Sequence, residues 1–390
     1  MKILHTVEFY SPSVGGMQEV VKQLSERLVT LGHDVTVATT KVKDRTGPVI
    51  NGVKIKEFAI SGNAVRGMKG ETDQYRQYLV NSDYDVVTNF AAQQWATDLA
   101  LPILGQIKSK KIFVPTGFSG LYWPAYKGYF SQMAGWMSQY DANVFLSADY
   151  RDINFAEQHG VRERVLIPNG AGADEFSPRS EIDIRAQFGI PADHFLILHV
   201  GSHTGVKGHV EAIKMFKKAN IKNATFLIVG NSFGGGCSRS CKLQHFFTKF
   251  SSQVQTNGKR LIVTTLNRPE TVAAYQQADM FLFPSNIECS PLVLFECLAS
   301  RTPFLTTDVG NAAEILAWSN AGQLLPTTKT PDGSSHADVQ ASIKTLEEFY
   351  EDKKGRQQMA ASGHEAWRER FTWEGIAGQY EQLYQSVVWK

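Results

Sequence analysis

PSNIECSPLVLFECLASRTPFLTTDVG, residues 284–310, sets two glutamates, Glu288 and Glu296, eight positions apart around a short apolar run. The apolar residues 280–283 before it read as a strand, residues 285–291 as a loop, and residues 292–298 as the helix that follows. A helix start offers free backbone N–H groups and the positive end of a dipole, so the turn at Pro291, Leu292 and Val293 suits an anion such as a diphosphate. Carboxylates flanking that turn would accept hydrogen bonds from hydroxyls at either end of one ligand. Glu288, in the loop, would face a hexose; Glu296, about two turns along the helix, would face a ribose. Glutamate pairs at this spacing are common on solvated helix faces, so the reading depends on what surrounds them.

Outward from this stretch the chain alternates strand and helix. Residues 2–7 read as a strand, 11–17 as a loop of small residues, 18–31 as a helix and 34–39 as a second strand. Gly15 and Gly16 in that loop would let backbone approach a phosphate or an acceptor closely. The pattern is not G-x-G-x-x-G, which disfavours a nicotinamide cofactor. Residues 195–200, 201–208, 209–218 and 225–229 repeat the strand, loop, helix, strand order, with Lys207 and Gly208 closing the loop. Alternation through both halves of 390 residues argues for two doubly wound parallel sheets of α/β class, with ligands at the carboxyl ends of the strands.

With this order in place, residues 284–310 resemble the E-x7-E element of retaining glycosyltransferases of the GT-B fold, in particular the large family 4 of nucleotide-sugar-dependent enzymes. Glu288 and Glu296 are followed by Thr302-Pro303 and Asp308-Val309-Gly310, which usually accompany that element. Ile167-Pro168-Asn169-Gly170 with Asp174 and Phe176 resembles the family's Pro-Asn-Gly-x-Asp-x-x-x-Phe signature, with one or two extra residues before the aspartate. Lys207-Gly208 resembles its Lys-Gly. The resemblance implies two Rossmann-like domains facing across a cleft. These are an acceptor-binding domain at 1–170, a donor domain at 171–370, and a helix at 371–390 that crosses back onto the first.

It also implies retaining transfer of a hexose from a nucleoside diphosphate sugar to a hydroxyl of a glycan, lipid-linked or protein-linked acceptor, with a UDP-sugar the commoner donor. In that scheme Lys207 stabilises the leaving diphosphate and Glu288 holds the sugar. The donor would be bound by Gly15, Gly16, Ser202, His203, Lys207, Pro291, Leu292, Val293 and Glu296, and the sugar or acceptor pocket would include Thr116 and Gly117. No metal and no cofactor are expected, the nucleotide sugar being a substrate. Two positions depart from the family. Ser202 stands where an arginine usually follows the strand-end glycine, with His203 next, and Thr116 stands where many relatives have a histidine. The plain reading of His203 is a water-exposed loop histidine. The departures keep a non-catalytic sugar-nucleotide-binding subunit open as an alternative, beside a GT-B sugar-nucleotide epimerase.

The net charge of +2 and the lack of a basic run give no reason to expect nucleic acid. No apolar run reads as a signal peptide or a spanning helix, which points to the cytoplasm. The aromatic stretch 121–140 reads as a core helix, but its Trp and Tyr content would also suit an acceptor surface or a peripheral contact at the inner face of a membrane. Asp83-Tyr84-Asp85 reads as a helix-to-strand turn. Four cysteines show no disulfide framework; Cys237, Cys241 and His245, after Gly234-Gly235-Gly236, lack a fourth ligand and match no zinc module. Cys289 is either an accessible thiol or an inert one. Oligomeric state is not legible in the sequence.

Overall fold

The computed structural model describes residues 1–231, 236–248 and 252–389, so Gly234, Gly235 and the side chain of His245 lie outside the described residues. The chain divides into two compact units, Met1–Asn169 with Trp373–Lys390, and Gly170–Thr372.

The sheet of the first unit runs, in spatial order, Arg164–Leu166, Ala142–Phe145, Lys110–Val114, Val86–Phe90, Lys2–Thr6, Asp34–Thr40, Val53–Phe58 and Val49–Ile50. All neighbours pair in parallel except the last two strands. Its central strands are covered on both faces: every residue of Val86–Phe90 is buried, the polar Thr88 and Asn89 included. The chain's first strand lies inside the sheet, and the order reverses between it and Val86–Phe90.

The sheet of the second unit is parallel throughout, in the order Arg260–Thr264, Ala224–Val229, Phe195–Val200, Met280–Phe283, Phe304–Thr306 and Gly322–Leu324. Side chains alternate between two cores, Leu196, Leu198, Phe281 and Phe283 facing one, Ile197, Met280 and Leu282 the other. The order reverses between Phe195–Val200 and Met280–Phe283, and a doubly wound sheet opens its ligand crevice beyond the carboxyl ends of the strands at such a reversal. The bounds read from sequence for residues 195–200, 209–218 and 280–283 coincide with Phe195–Val200, His209–Lys218 and Met280–Phe283. The helix after Pro291 runs Leu292–Ser300, two residues longer than its apolar pattern.

The aromatic stretch folds as a 3-10 turn, Pro124–Tyr126, and a helix, Lys127–Met137. Its stripe is core: Tyr126, Tyr129, Phe130, Met133, Met137 and Tyr140 are all buried, while Tyr122 and Trp123 just before it are exposed. Asp83 and Asp85 hold the Lys2 ammonium and backbone N–H at 2.6 and 2.7 Å, at the amino end of the first strand. They clasp the amino end of a central strand.

Candidate functional site

In the second unit the two loops that leave the reversal point, residues 201–208 and 284–291, are stitched together. Asn286 N–H donates to the Val206 carbonyl at 2.8 Å, and Ser285 Oγ lies 3.2 Å from the same oxygen. Gly208 makes this possible. It sits at φ +72°, and a Cβ there would lie 1.9 Å from the Pro284 carbonyl oxygen, so no other residue fits both the dihedral and the space. The result is that Lys207 Nζ lies 2.6 Å from Glu288 Oε1, which also accepts from Ser285 Oγ at 2.8 Å. Both partners are partly shielded, with side-chain exposures of 26% and 11%.

Immediately beyond, the helix Leu292–Ser300 begins at Pro291 with no side-chain cap and no acidic residue in its first turn. Its positive dipole end is therefore left uncompensated by its own residues. Gly310, at φ +56°, packs the following loop on this turn: a Cβ there would lie 2.4 Å from the Cys289 carbonyl oxygen, which accepts Asn311 N–H at 2.9 Å. Cys289 is half-buried and Cys297 buried, and neither is in a disulfide.

Glu296 lies on the same helix, 6% exposed, where Arg268 Nη1 donates to its Oε1. Arg268 also donates from Nε and Nη2 to the two carboxylate oxygens of Glu175 at 2.9 and 2.8 Å. Sequence reasoning missed this arginine. Its signal was the run Asn267-Arg268-Pro269-Glu270, which forms a capping box with proline in the first turn and so sets Arg268 at the start of the helix Arg268–Gln277.

His203 corrects an expectation. It is not exposed to water but 4% exposed, with its ring stacked on His209 at 4.3 Å and its Nδ1 3.6 Å from Cys237 Sγ. Glycines let backbone close over it: a Cβ on Gly230 would lie 2.2 Å from the Gly201 carbonyl oxygen and 3.2 Å from the His203 ring. Below it, His199 Nδ1 donates to the Leu282 carbonyl and His209 Nε2 to that of Gly201. Burial depresses His199 to about 4 and His209 to about 2, and lowers His203 as well, the last with help from Lys242. These histidines are neutral at pH 7, so His203 does not replace the charge of an arginine at Ser202. Among the described residues one set of side chains has the mutual spacing of metal ligands, His203 with Cys237 and Cys241.

In the first unit, Gly15 has φ 174°, extended backbone open to any residue, and a Cβ there would meet only the flexible Gln18 side chain. Gly16 opens the helix Gly16–Thr30. The dihedrals thus give no requirement for glycine at position 15. Thr116, Gly117 and Phe118 are different: they follow the strand Lys110–Val114 with three consecutive positive φ values of 59°, 98° and 48°. A β-branched residue in that region is strained. Gly117 N–H donates to Asp152 Oδ2 at 2.8 Å, and the buried Phe118 ring packs edge-on against Phe130 and Phe155, which holds the turn. Burial raises Asp152 to about 6.

The family model described as "Glycosyl transferases group 1" matches residues 180–366, and that described as "Glycosyltransferase Family 4" matches residues 14–175. The chain belongs to the group 1, family 4 glycosyltransferases. Among curated relatives it is similar to D-inositol 3-phosphate glycosyltransferase of Corynebacterium urealyticum, 30% identical over 242 residues, covering 59% of the chain but only 53% of that protein. It is similar also to phosphatidyl-myo-inositol mannosyltransferase of Mycobacterium tuberculosis, 23% identical over 96% of the chain and 94% of that protein. Solved structures show the GT-B fold with its two Rossmann-like domains. Sucrose-phosphate synthase from Thermosynechococcus elongatus superposes with a TM-score of 0.79 at 18% identity, covering 99% of the chain and 98% of that structure. Anabaena HepE, in complex with UDP and glucose, gives 0.72 at 15% identity, covering 99% and 100%. The family is one of sugar transferases. None of its described helices is long and apolar enough to cross a membrane.

Proposed function

We propose that this family member is a retaining, metal-independent hexosyltransferase that takes a hexose from a nucleoside diphosphate sugar, UDP first among the nucleotides, and passes it to a hydroxyl of a glycan, lipid-linked or protein-linked acceptor. The observation that carries the reading is the Lys207–Glu288 pair at the reversal point of the second sheet, beside the uncapped start of the Leu292 helix. A diphosphate seated on that helix start would meet the backbone N–H groups of Leu292 and Val293 and draw the Lys207 ammonium, which stabilises the leaving charge. Glu288, released from Lys207, then accepts from sugar hydroxyls. Glu296, oriented by Arg268, accepts from the ribose. The diphosphate leaves and the acceptor attacks on one face of the sugar, through an oxocarbenium-like state. No cofactor takes part, and the positive charge of Lys207 and the helix end stands in for a divalent ion on the diphosphate.

On the first unit, the strained turn at Thr116 and Gly117 and the loop at Gly15 and Gly16 are proposed as the sugar and acceptor side. Exposed Tyr122 and Trp123, the former with the Arg151 guanidinium 5.3 Å from its ring centroid, would suit peripheral contact with the cytoplasmic face of a membrane carrying a lipid-linked acceptor. Names among the relatives, which act on an inositol phosphate and a phosphatidylinositol, support such acceptors, and the UDP complex of HepE supports the nucleotide.

Calorimetric titration with UDP, GDP and ADP tests the reading, on the intact chain and on Lys207→Ala and Glu296→Ala. Selective binding of one nucleotide, weakened in both variants, followed by product with the donor's anomeric configuration, is the expected result. Product of inverted configuration would end the retaining assignment. Nucleotide binding without turnover on any acceptor would favour a non-catalytic donor-binding subunit, the reading that Ser202 in the arginine's place favours.

A further inference from the structure

The geometry points to a second site in the donor unit: a mononuclear site for a thiophilic divalent cation, Zn²⁺ foremost, held by His203, Cys237 and Cys241. Ligand atoms of these three residues all lie within 4.8 Å of one another. Zinc bonds of ~2.3 Å to sulfur and ~2.0–2.1 Å to nitrogen, at a tetrahedral angle, set an S···N edge of roughly 3.6 Å. The His203 Nδ1 to Cys237 Sγ distance is already 3.6 Å. The remaining edges need a contraction of at most about 1.2 Å from the 4.8 Å bound, within the reach of side-chain rotation.

The donor set is built rather than incidental. Cys237 and Cys241 have the C-x3-C spacing seen in zinc sites, at the start of the helix Ser238–Thr248, where Cys241 N–H closes a turn onto the Cys237 carbonyl at 2.8 Å. His203 comes from a different loop and is locked from two sides. Its N–H donates to the Asn231 carbonyl at 2.9 Å, and its carbonyl oxygen lies 1.8 Å from where a Cβ on Gly236 would stand, at φ +71°. Only glycine allows the turn before Cys237 to come this close. His203 and Cys241 are 4% and 0% exposed, whereas Cys237 is half-buried and gives an entry path.

The chemistry of the set selects the metal. Two thiolates and one imidazole are soft-to-borderline ligands, suited to Zn²⁺ and poorly suited to Mg²⁺ or Ca²⁺. With two thiolates the site would be neutral around the ion, which avoids burying net charge. The metal would tie the loop 201–208, which carries Lys207, to the Ser238–Thr248 helix, and three protein ligands leave one coordination position for water or an anion.

The test uses the full chain, reduced, loaded with Zn²⁺ or Co²⁺ and desalted. One equivalent of zinc by elemental analysis, with thiolate-to-cobalt charge-transfer absorption in the Co²⁺ form, is expected. His203→Ala, Cys237→Ser and Cys241→Ser should each weaken binding by more than the ~10–100-fold that loss of an outer partner costs. Lys207→Ala should bind the metal as the unmodified protein does, which separates this site from failure of the donor reading. A second measurement needs no variant: Zn²⁺ should slow alkylation of Cys237 at least tenfold. Substoichiometric metal, undiminished affinity in His203→Ala, unchanged alkylation, or isolation of Cys237 and Cys241 as a disulfide would each overturn the site.

Discussion

Lys207 and Glu288 are 81 positions apart, and each is the other's counter-charge at 2.6 Å in a partly shielded place. Lys207→Ala should therefore remove the leaving-group cation and leave Glu288 without its partner, lowering kcat/KM for the donor about 10²–10³-fold, as loss of one electrostatic stabiliser does. Glu288→Gln should lower it as well, and the double variant should fall short of the product of the single effects, because each single change strands a charge. Steady-state kinetics of the three variants checks this; strictly multiplicative losses would mean the pair does not act as a unit. Arg268 behaves differently. It holds two carboxylates, Glu296 and Glu175, and is itself 34% exposed at the side chain. Arg268→Ala should cost about 1–2 kcal/mol in stability, below the ~3–5 kcal/mol of a fully buried pair, and weaken nucleotide binding through the freed Glu296. Chemical denaturation beside nucleotide titration measures both. The two glutamates and the lysine were legible because their spacing is local to a loop and a helix start. Arg268 was not, since its meaning arises only when residues 175, 268 and 296 meet.

Among elements, the loop that carries Lys207 owes its shape to Gly208, the residue before the helix His209–Lys218, while the helix Leu292–Ser300 starts at Pro291 without a side-chain cap. Gly208→Ala should destabilise the second unit by more than the ~1–2 kcal/mol of a positive φ alone, because the new Cβ overlaps the Pro284 carbonyl. Gly32→Ala is the control: Gly32 also has positive φ, at 90°, but nothing lies within 4 Å of where the alanine methyl would stand, so only the dihedral cost of about 1 kcal/mol is expected. Equal denaturation midpoints for the two variants would contradict the close-approach argument. Strands such as Phe195–Val200 and Met280–Phe283 were legible to the residue, since a short apolar run flanked by turn residues has few other uses. The aromatic stretch was legible as a core helix for the same reason of period, while the strain at Thr116 left no mark in the sequence.

For the whole molecule, the terminal helix Trp373–Val388 belongs to the first unit, where Tyr384 OH reaches His5 Nε2 at 3.1 Å and Thr88 Oγ1 at 2.8 Å. Removing residues 373–390 should uncover the face of the helix Gly16–Thr30 on which the terminal helix packs and take the Tyr384 hydroxyl from His5 Nε2 and Thr88 Oγ1, so the truncated chain should fail to fold its first unit. Tyr384→Phe should cost about 1–3 kcal/mol by thermal or chemical melting. Acid should act unevenly. Burial depresses His199 to about 4 and His209 to about 2, so both stay neutral in the folded second unit while the unfolded chain protonates near 6.5. Their contribution is intact above pH 6.5 and is lost as pH falls from there towards 4, by about 1.4 kcal/mol for each at pH 5.5. In the first unit His5, held at about 3, acts the same way, but Asp98 and Asp152, raised to about 6, protonate earlier in the folded state and gain stability as pH falls from 6 towards 4. The denaturation midpoint of the second unit should be lower at pH 5.5 than at pH 7.5, and His199→Gln should flatten that slope; a slope unchanged by the variant would contradict the assignment. By itself the sequence determined the alternation of strands and helices, the glycine-bearing loops at strand ends and the glutamates of the 284–310 stretch, because these follow from periodicity and local backbone chemistry. Only the tertiary structure decided that His203 turns inward onto Cys237 and Cys241, that Arg268 joins Glu175 to Glu296, and that Tyr384 seals His5 across 379 positions, because pairings between side chains on different loops depend on where the sheets carry them.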